Sequence, residues 1–180
     1  MRASVVLPLL TGCILAALCP SVSSAQIRRP VQVVPGQITI TIVDTTGTPY
    51  AIPFPRARVY RALLDVFADL KVPAVARDSA VGRVEAPTFY RQGDFAGSQI
   101  SAWLGCGDSM TGPNADNYRV YMYLASTVTA DGENASNIRS VLLGGAMNVS
   151  EGSRQAMPCE STGRLEVRIY KMVLKKAAGI

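Results

Sequence analysis

Cys106 and Cys159 carry the most reactive side chains in the body of this sequence, and each could act as a nucleophile, a metal ligand or half of a disulfide. A catalytic thiolate needs a base beside it. The 180 residues contain no histidine, so Cys-His and Ser-His-Asp arrangements are excluded. Zinc sites built on imidazole fall with them, and two cysteines alone do not complete a tetrahedral shell. No Cys-x-x-C pair is present, which leaves thioredoxin-like redox chemistry without a motif. A structural Cys106–Cys159 disulfide fits best, because a cysteine pair in an exported chain is most often oxidised. The chain-entropy account assigns about 4 kcal/mol to closing such a loop. No cofactor and no metal is expected, and the chain is read as non-enzymatic.

Other groupings have a functional and a bland reading. Arg119, Tyr121 and Tyr123 alternate along one strand face while Tyr118, Val120, Met122 and Leu124 take the other. That face could stack a ring or a sugar, or be ordinary packing beneath a helix or the leader. Arg164, Arg168, Lys171 and Lys175 recur at helical spacing on one face. They could rest on an anionic membrane surface or an acidic partner, or be solvated cations opposite the helix dipole. Asp65 and Asp69 lie one helical turn apart, as acid–base chemistry would need, but nothing else gathers around them in sequence. Gly144-Gly145 inside an apolar run predicts a bulge or a close backbone approach. No P-loop lysine and serine follow it.

The compartment is read from the first residues. Met1-Arg2, an apolar run from Val5 to Leu18 and small residues ending Ser23-Ser24-Ala25 make a signal peptide, with cleavage expected between Ala25 and Gln26. Leu10-Thr11-Gly12-Cys13 is a competing lipoprotein box, which would anchor the chain through Cys13. Cleavage there would strand Ile14 to Leu18 on the mature terminus. Periplasmic or envelope residence follows from either reading. The formal net charge of +5 is scattered and forms no nucleic-acid tract.

These side chains must be held by a fold. Residues 1–25 are expected to leave, 26–36 to form an extended leader with two prolines, and 37–178 to make one α+β domain. "QITITIVD" alternates as a strand. Val59, Leu63, Phe67 and Leu70 recur at helical spacing after Pro55, with Pro73 as the stop. β-like runs follow in "VPAVARD", "GRVEAPTFYR", "SQISAWLGCG", "NYRVYMYLASTVTAD" and "SNIRSVLLGGAMNV", the last two joined at "DGEN" as an antiparallel hairpin. Ser161 or Thr162 then caps a terminal helix with Leu165, Ile169 and Met172 on one face and Gly179 at its end. The expected architecture is an antiparallel sheet of about five to six strands, with one central and one C-terminal helix packed on one face. The disulfide is expected to tie a central strand ending at Cys106 to the entry of the last helix.

"CGDSMTGPNADNYRVYMYLASTV" followed by "CESTGRLEVRI" resembles a group of uncharacterised exported bacterial proteins. They share Cys-Gly, an Ala-Asp-x-Tyr strand opening and a C-terminal Cys-x-Ser-Thr-Gly-x-Leu-Glu. The likeness runs roughly from Arg56 to Lys171, and the group brings no activity with it. The helix-then-sheet order is also loosely similar to domains of accessory lipoproteins in the outer-membrane assembly machinery, an analogy of architecture only. The sequence thus predicts an envelope binding module, engaging an envelope protein or a small ligand through its sheet face or basic terminal helix. The alternative is a small-molecule binder, or less readily a hydrolase, with an apolar pocket between helix and sheet near Trp103.

Overall fold

The computed structural model describes residues 28–43, 45–73, 76–149 and 155–180. The expected signal segment, its cleavage point between Ala25 and Gln26, and Cys13 lie outside the described residues. In chain order the elements are β1 (Arg28–Val34), β2 (Ile38–Val43), β3 (Pro49–Ile52), α1 (Arg56–Asp69), β4 (Ala76–Asp78) and β5 (Arg83–Arg91). A small ribbon, β6 (Asp94–Phe95) with β7 (Ser98–Gln99), leads through one 3-10 turn to β8 (Leu104–Gly105). A second ribbon, β9 (Asp108–Ser109) with β10 (Gly112–Pro113), precedes the short α2 (Asn114–Asn117). Then come β11 (Arg119–Ala130), β12 (Ser136–Met147), β13 (Ala156–Ser161) and α3 (Arg164–Ala178).

The class is α+β, as the order of elements predicts. The main sheet has seven strands in the order β4-β5-β11-β12-β13-β8, with β3 also on β12, and its pairings are antiparallel. Its spine is the hairpin of β11 and β12, in unbroken register from Arg119 opposite Met147 to Ala130 opposite Ser136. The "DGEN" turn closes it, with Gly132 at φ 76° and the Asp131 N–H donating to Ala135 O.

Period-2 alternation sends the even-numbered residues of β11 and β12 to one face, and α1 and α3 cover that face. Val120, Met122, Leu124, Ile138 and Leu142 meet Val59, Leu63, Val66 and Phe67 of α1 and Leu165, Ile169 and Val173 of α3 in one buried core. Burying a side chain of this size contributes about 1.5–3 kcal/mol each.

The sequence reading of residues 26–36 as a leader outside the domain is corrected from Arg28 onward, because these residues form β1. The chain turns at Pro35-Gly36, with Gly36 at φ 73° and Gln37 N–H donating to Val34 O, and returns as β2. The β1–β2 hairpin lies on the other face of the main sheet, where Val31, Val33 and Ile42 bury Tyr123 and Ala125. The strand predicted at Ile38 therefore belongs to a separate two-stranded sheet.

The glycine pair on β12 lets both layers come close. A Cβ on Gly144 would lie 2.6 Å from Leu104 Cδ1 on the helix face, and one on Gly145 would lie 2.5 Å from Val34 Cγ2 on the hairpin face. Register runs unbroken through both, so the pair serves close approach and makes no bulge.

Cys106 and Cys159 are bonded, with Cα atoms 4.3 Å apart and a sequence separation of 53. Their position differs from the expectation. Cys106 follows the edge strand β8, and Cys159 lies within β13, which pairs with β8. The staple closes the sheet's edge, two strands removed from β11, and does not mark the entry of α3.

Candidate functional site

The four cations predicted on one helix face lie together on α3, whose orientation is set at both ends. Leu165, Ile169, Val173 and Ala177, four residues apart, form its buried row. Met172, predicted with that row, is only half-buried and turns toward the cations' side. At the N-terminus Gly163 adopts φ 75°, its N–H donates to Ser161 Oγ at 3.1 Å, and the Arg164 N–H reaches Thr162 Oγ1 at 3.4 Å. At the C-terminus Gly179 is left-handed, with its N–H on Lys176 O and the Ile180 N–H on Lys175 O, the Schellman pattern.

The start of α3 is also tied to Trp103. The Thr162 N–H donates to Trp103 O at 2.9 Å, Thr162 Oγ1 donates to Ala102 O at 2.9 Å, and the indole N–H donates to Phe95 O at 2.8 Å. Glu166 fills a gap in the sheet beneath. β3 pairs with β12 over Ser136–Arg139 and β13 over Gly144–Met147, leaving the edge between them open. Glu166 Oε1 accepts there from the Leu142 N–H at 3.3 Å and from Ser161 Oγ at 2.7 Å.

Above this frame lies an open trough of about 700 Å³, lined by Tyr50, Trp103, Thr162, Gly163, Arg164, Val167, Arg168, Lys171, Met172 and Lys175. The Arg168 guanidinium carbon is 5.6 Å from the Trp103 ring centre, and Tyr50 stacks on Tyr170 at 4.8 Å. No carboxylate lines the trough. A second depression of about 560 Å³ shares Arg168 and Met172 with it and adds Lys71, Arg91, Asp69 and Asp94.

Arg119, Tyr121 and Tyr123 do share one face of β11, but in two environments. Tyr123 is buried under the β1–β2 hairpin, with its hydroxyl accepting from Arg83 Nη2 at 2.8 Å while Arg83 Nε donates to Glu85 at 2.8 Å. Nearer the strand's start, Tyr121 lies 6.1 Å from the ring of Tyr90, which is 57% exposed, and the Arg119 guanidinium sits 5.0 Å from the Tyr90 ring centre. The packing reading holds for Tyr123, and the open cation–aromatic reading remains for Arg119 and Tyr121 with Tyr90 added.

Burial raises the Tyr123 phenol above the ordinary value of 10.0, and Glu85 pushes the same way against the opposing pull of Arg83. A folded value above the unfolded one means that folding favours the neutral phenol. This contribution is complete below the ordinary tyrosine range and declines as pH rises through the folded value. In an alkaline absorbance titration, Tyr123→Phe should remove a late-ionising step and flatten the alkaline loss of stability. An unchanged titration would contradict this environment.

The remaining sequence candidate disperses. Asp69 pairs with Lys176 at 2.9 Å, linking α1 to α3, and Asp65 is exposed. Among the described residues, no group of three or more His, Cys, Asp or Glu could hold a metal ion, and no helix is long and apolar enough to cross a membrane.

The trough's cations were visible as a spacing. Tyr50 and Trp103 joining them was not, since only the tertiary fold brings β3 and the turn before β8 beside α3. Comparison with protein-family models and with curated proteins finds no match for this chain.

Proposed function

We propose that this protein is a non-enzymatic, exported envelope module that binds an anionic ligand along the trough on α3. The observation carrying the reading is the convergence of Arg164, Arg168, Lys171 and Lys175 with Trp103 and Tyr50 in a lining that has no carboxylate. Unopposed cations at a partly desolvated surface attract anions, and aromatic rings add stacking area. The disulfide suits an oxidising compartment, and the N-terminal sequence pattern suits delivery to one. The absence of histidine leaves the trough without the usual proton-transfer group, which favours binding over turnover.

The alternative of an apolar pocket between helix and sheet finds less support. Leu63, Val66, Phe67, Leu165 and Ile169 are buried in that layer, and the trough lies along the outer side of α3.

Trp103 is the single tryptophan of the chain and lines the trough, so its emission responds to ligands bound there. Titration with inositol hexakisphosphate is expected to change that emission saturably, with an affinity that falls as salt is added, and neutral inositol should leave it unchanged. Arg168→Gln should weaken the response. No saturable change with the polyanion, or an equal change with inositol, would overturn anion recognition by soluble ligands.

A further inference from the structure

We infer that the occupant of the trough is the surface of an anionic bilayer, along which α3 lies with its cationic side down. This rests on the anion-binding reading above and adds the identity of the partner. Arg164, Arg168, Lys171 and Lys175 follow one another at intervals of four, three and four residues, a strip of about 16 Å at the helical rise. All four turn away from the buried row of α3, so they face the same direction.

A discrete ligand site closes polar groups around a point. Here Arg164, Lys171 and Lys175 are exposed and only Arg168 is held, over Trp103. Among the described residues no carboxylate pairs with any of the four. An outward-facing strip of this kind matches a plane of negative charge. Met172, half-buried, lies among the cations and supplies the apolar contact that an interfacial helix adds to its charge. Trp103, only 5% exposed, stays in the protein. Because the β1–β2 hairpin covers the opposite face of the sheet, docking through α3 turns Tyr90, Tyr121 and Arg119 toward the aqueous side.

The test is flotation of the mature protein with vesicles of pure phosphatidylglycerol or pure phosphatidylcholine at low and high salt. Binding is expected only to phosphatidylglycerol and should fade with salt. Each cation near an anionic surface changes partitioning about fivefold, so the combined Arg164→Gln, Lys171→Gln and Lys175→Gln variant should lose roughly a hundredfold. All three side chains are exposed, so its thermal midpoint should match the parent's. Lys176→Gln removes the same charge from the helix side facing Asp69 and should lose less than Lys171→Gln.

Equal losses in those two single variants would reduce the effect to net charge and overturn the inference. Vesicles left unbound while inositol hexakisphosphate still alters Trp103 emission would also overturn it, yet keep the anion-binding reading. So would capture by polyglutamate without vesicle binding, which would point to an acidic protein. Silence in every assay would remove both readings.

Discussion

Replacing Cys106 and Cys159 together by alanine is expected to lower the unfolding free energy by about 4 kcal/mol, because the bond closes a loop of 53 residues in the unfolded chain. For a domain of this size, that corresponds to a fall in thermal midpoint of about 8–16 °C. The effect should be large for a second reason. β8 has only two residues, and its ladder to β13 pairs Gly105 with Glu160 and Leu104 with Ser161. Without the bond, this edge rests on that short ladder, on the burial of Leu104 and on the Thr162–Trp103 hydrogen bond. Calorimetry of the parent and the double variant gives the comparison, and denaturant titration should show a steeper dependence for the variant, whose unfolded state is more expanded. A difference below about 1 kcal/mol would mean that β8 is held by packing alone.

Phe67→Ala is the second large effect, with an expected loss of about 3–5 kcal/mol. Phe67 is 1% exposed and lies in the layer between α1, α3 and the sheet, where backbone elements on all sides limit collapse into a cavity. The urea midpoint should fall with little change in slope. The disulfide should survive, because the cavity forms in the helix layer and the staple sits at the sheet edge. A loss near 1 kcal/mol would indicate that α1 moves to refill the space.

How far the sequence could be read varies with how local each signal is. The β11–β12 hairpin was readable because its alternation runs through two twelve-residue strands joined by a turn with its own chemistry. α1 and α3 were readable from apolar spacing, and the disulfide from elimination. The strand at Arg28 was missed because Pro30 and two arginines masked it. Pro30 is tolerated in β1 because that strand has an open edge, and the "VPGQ" turn was the available signal. The strands around Trp103 were predicted as one run and are two short pieces separated by a 3-10 turn. β7 pairs locally with β6, whereas β8 pairs with β13, far along the chain, so no local period announces that second pairing. The trough was half readable for the same reason. The spacing of its cations is a property of one helix, whereas its aromatic members come from segments brought to that helix by the sheet.

The divided edge of β12 also bears on the order of folding. One half of that edge is completed by β3, near the beginning of the described chain, and the other by β13, near its end. Glu166 bridges the gap from a residue still later. Both α3 and the Cys159 partner of Cys106 lie in this last stretch. The β1–β2 and β11–β12 hairpins and α1 can form by local contacts, whereas the edge of β12 is finished only when β13 and α3 are present. Completion of this edge by distant segments keeps the polypeptide threadable until β13 and α3 have joined the sheet.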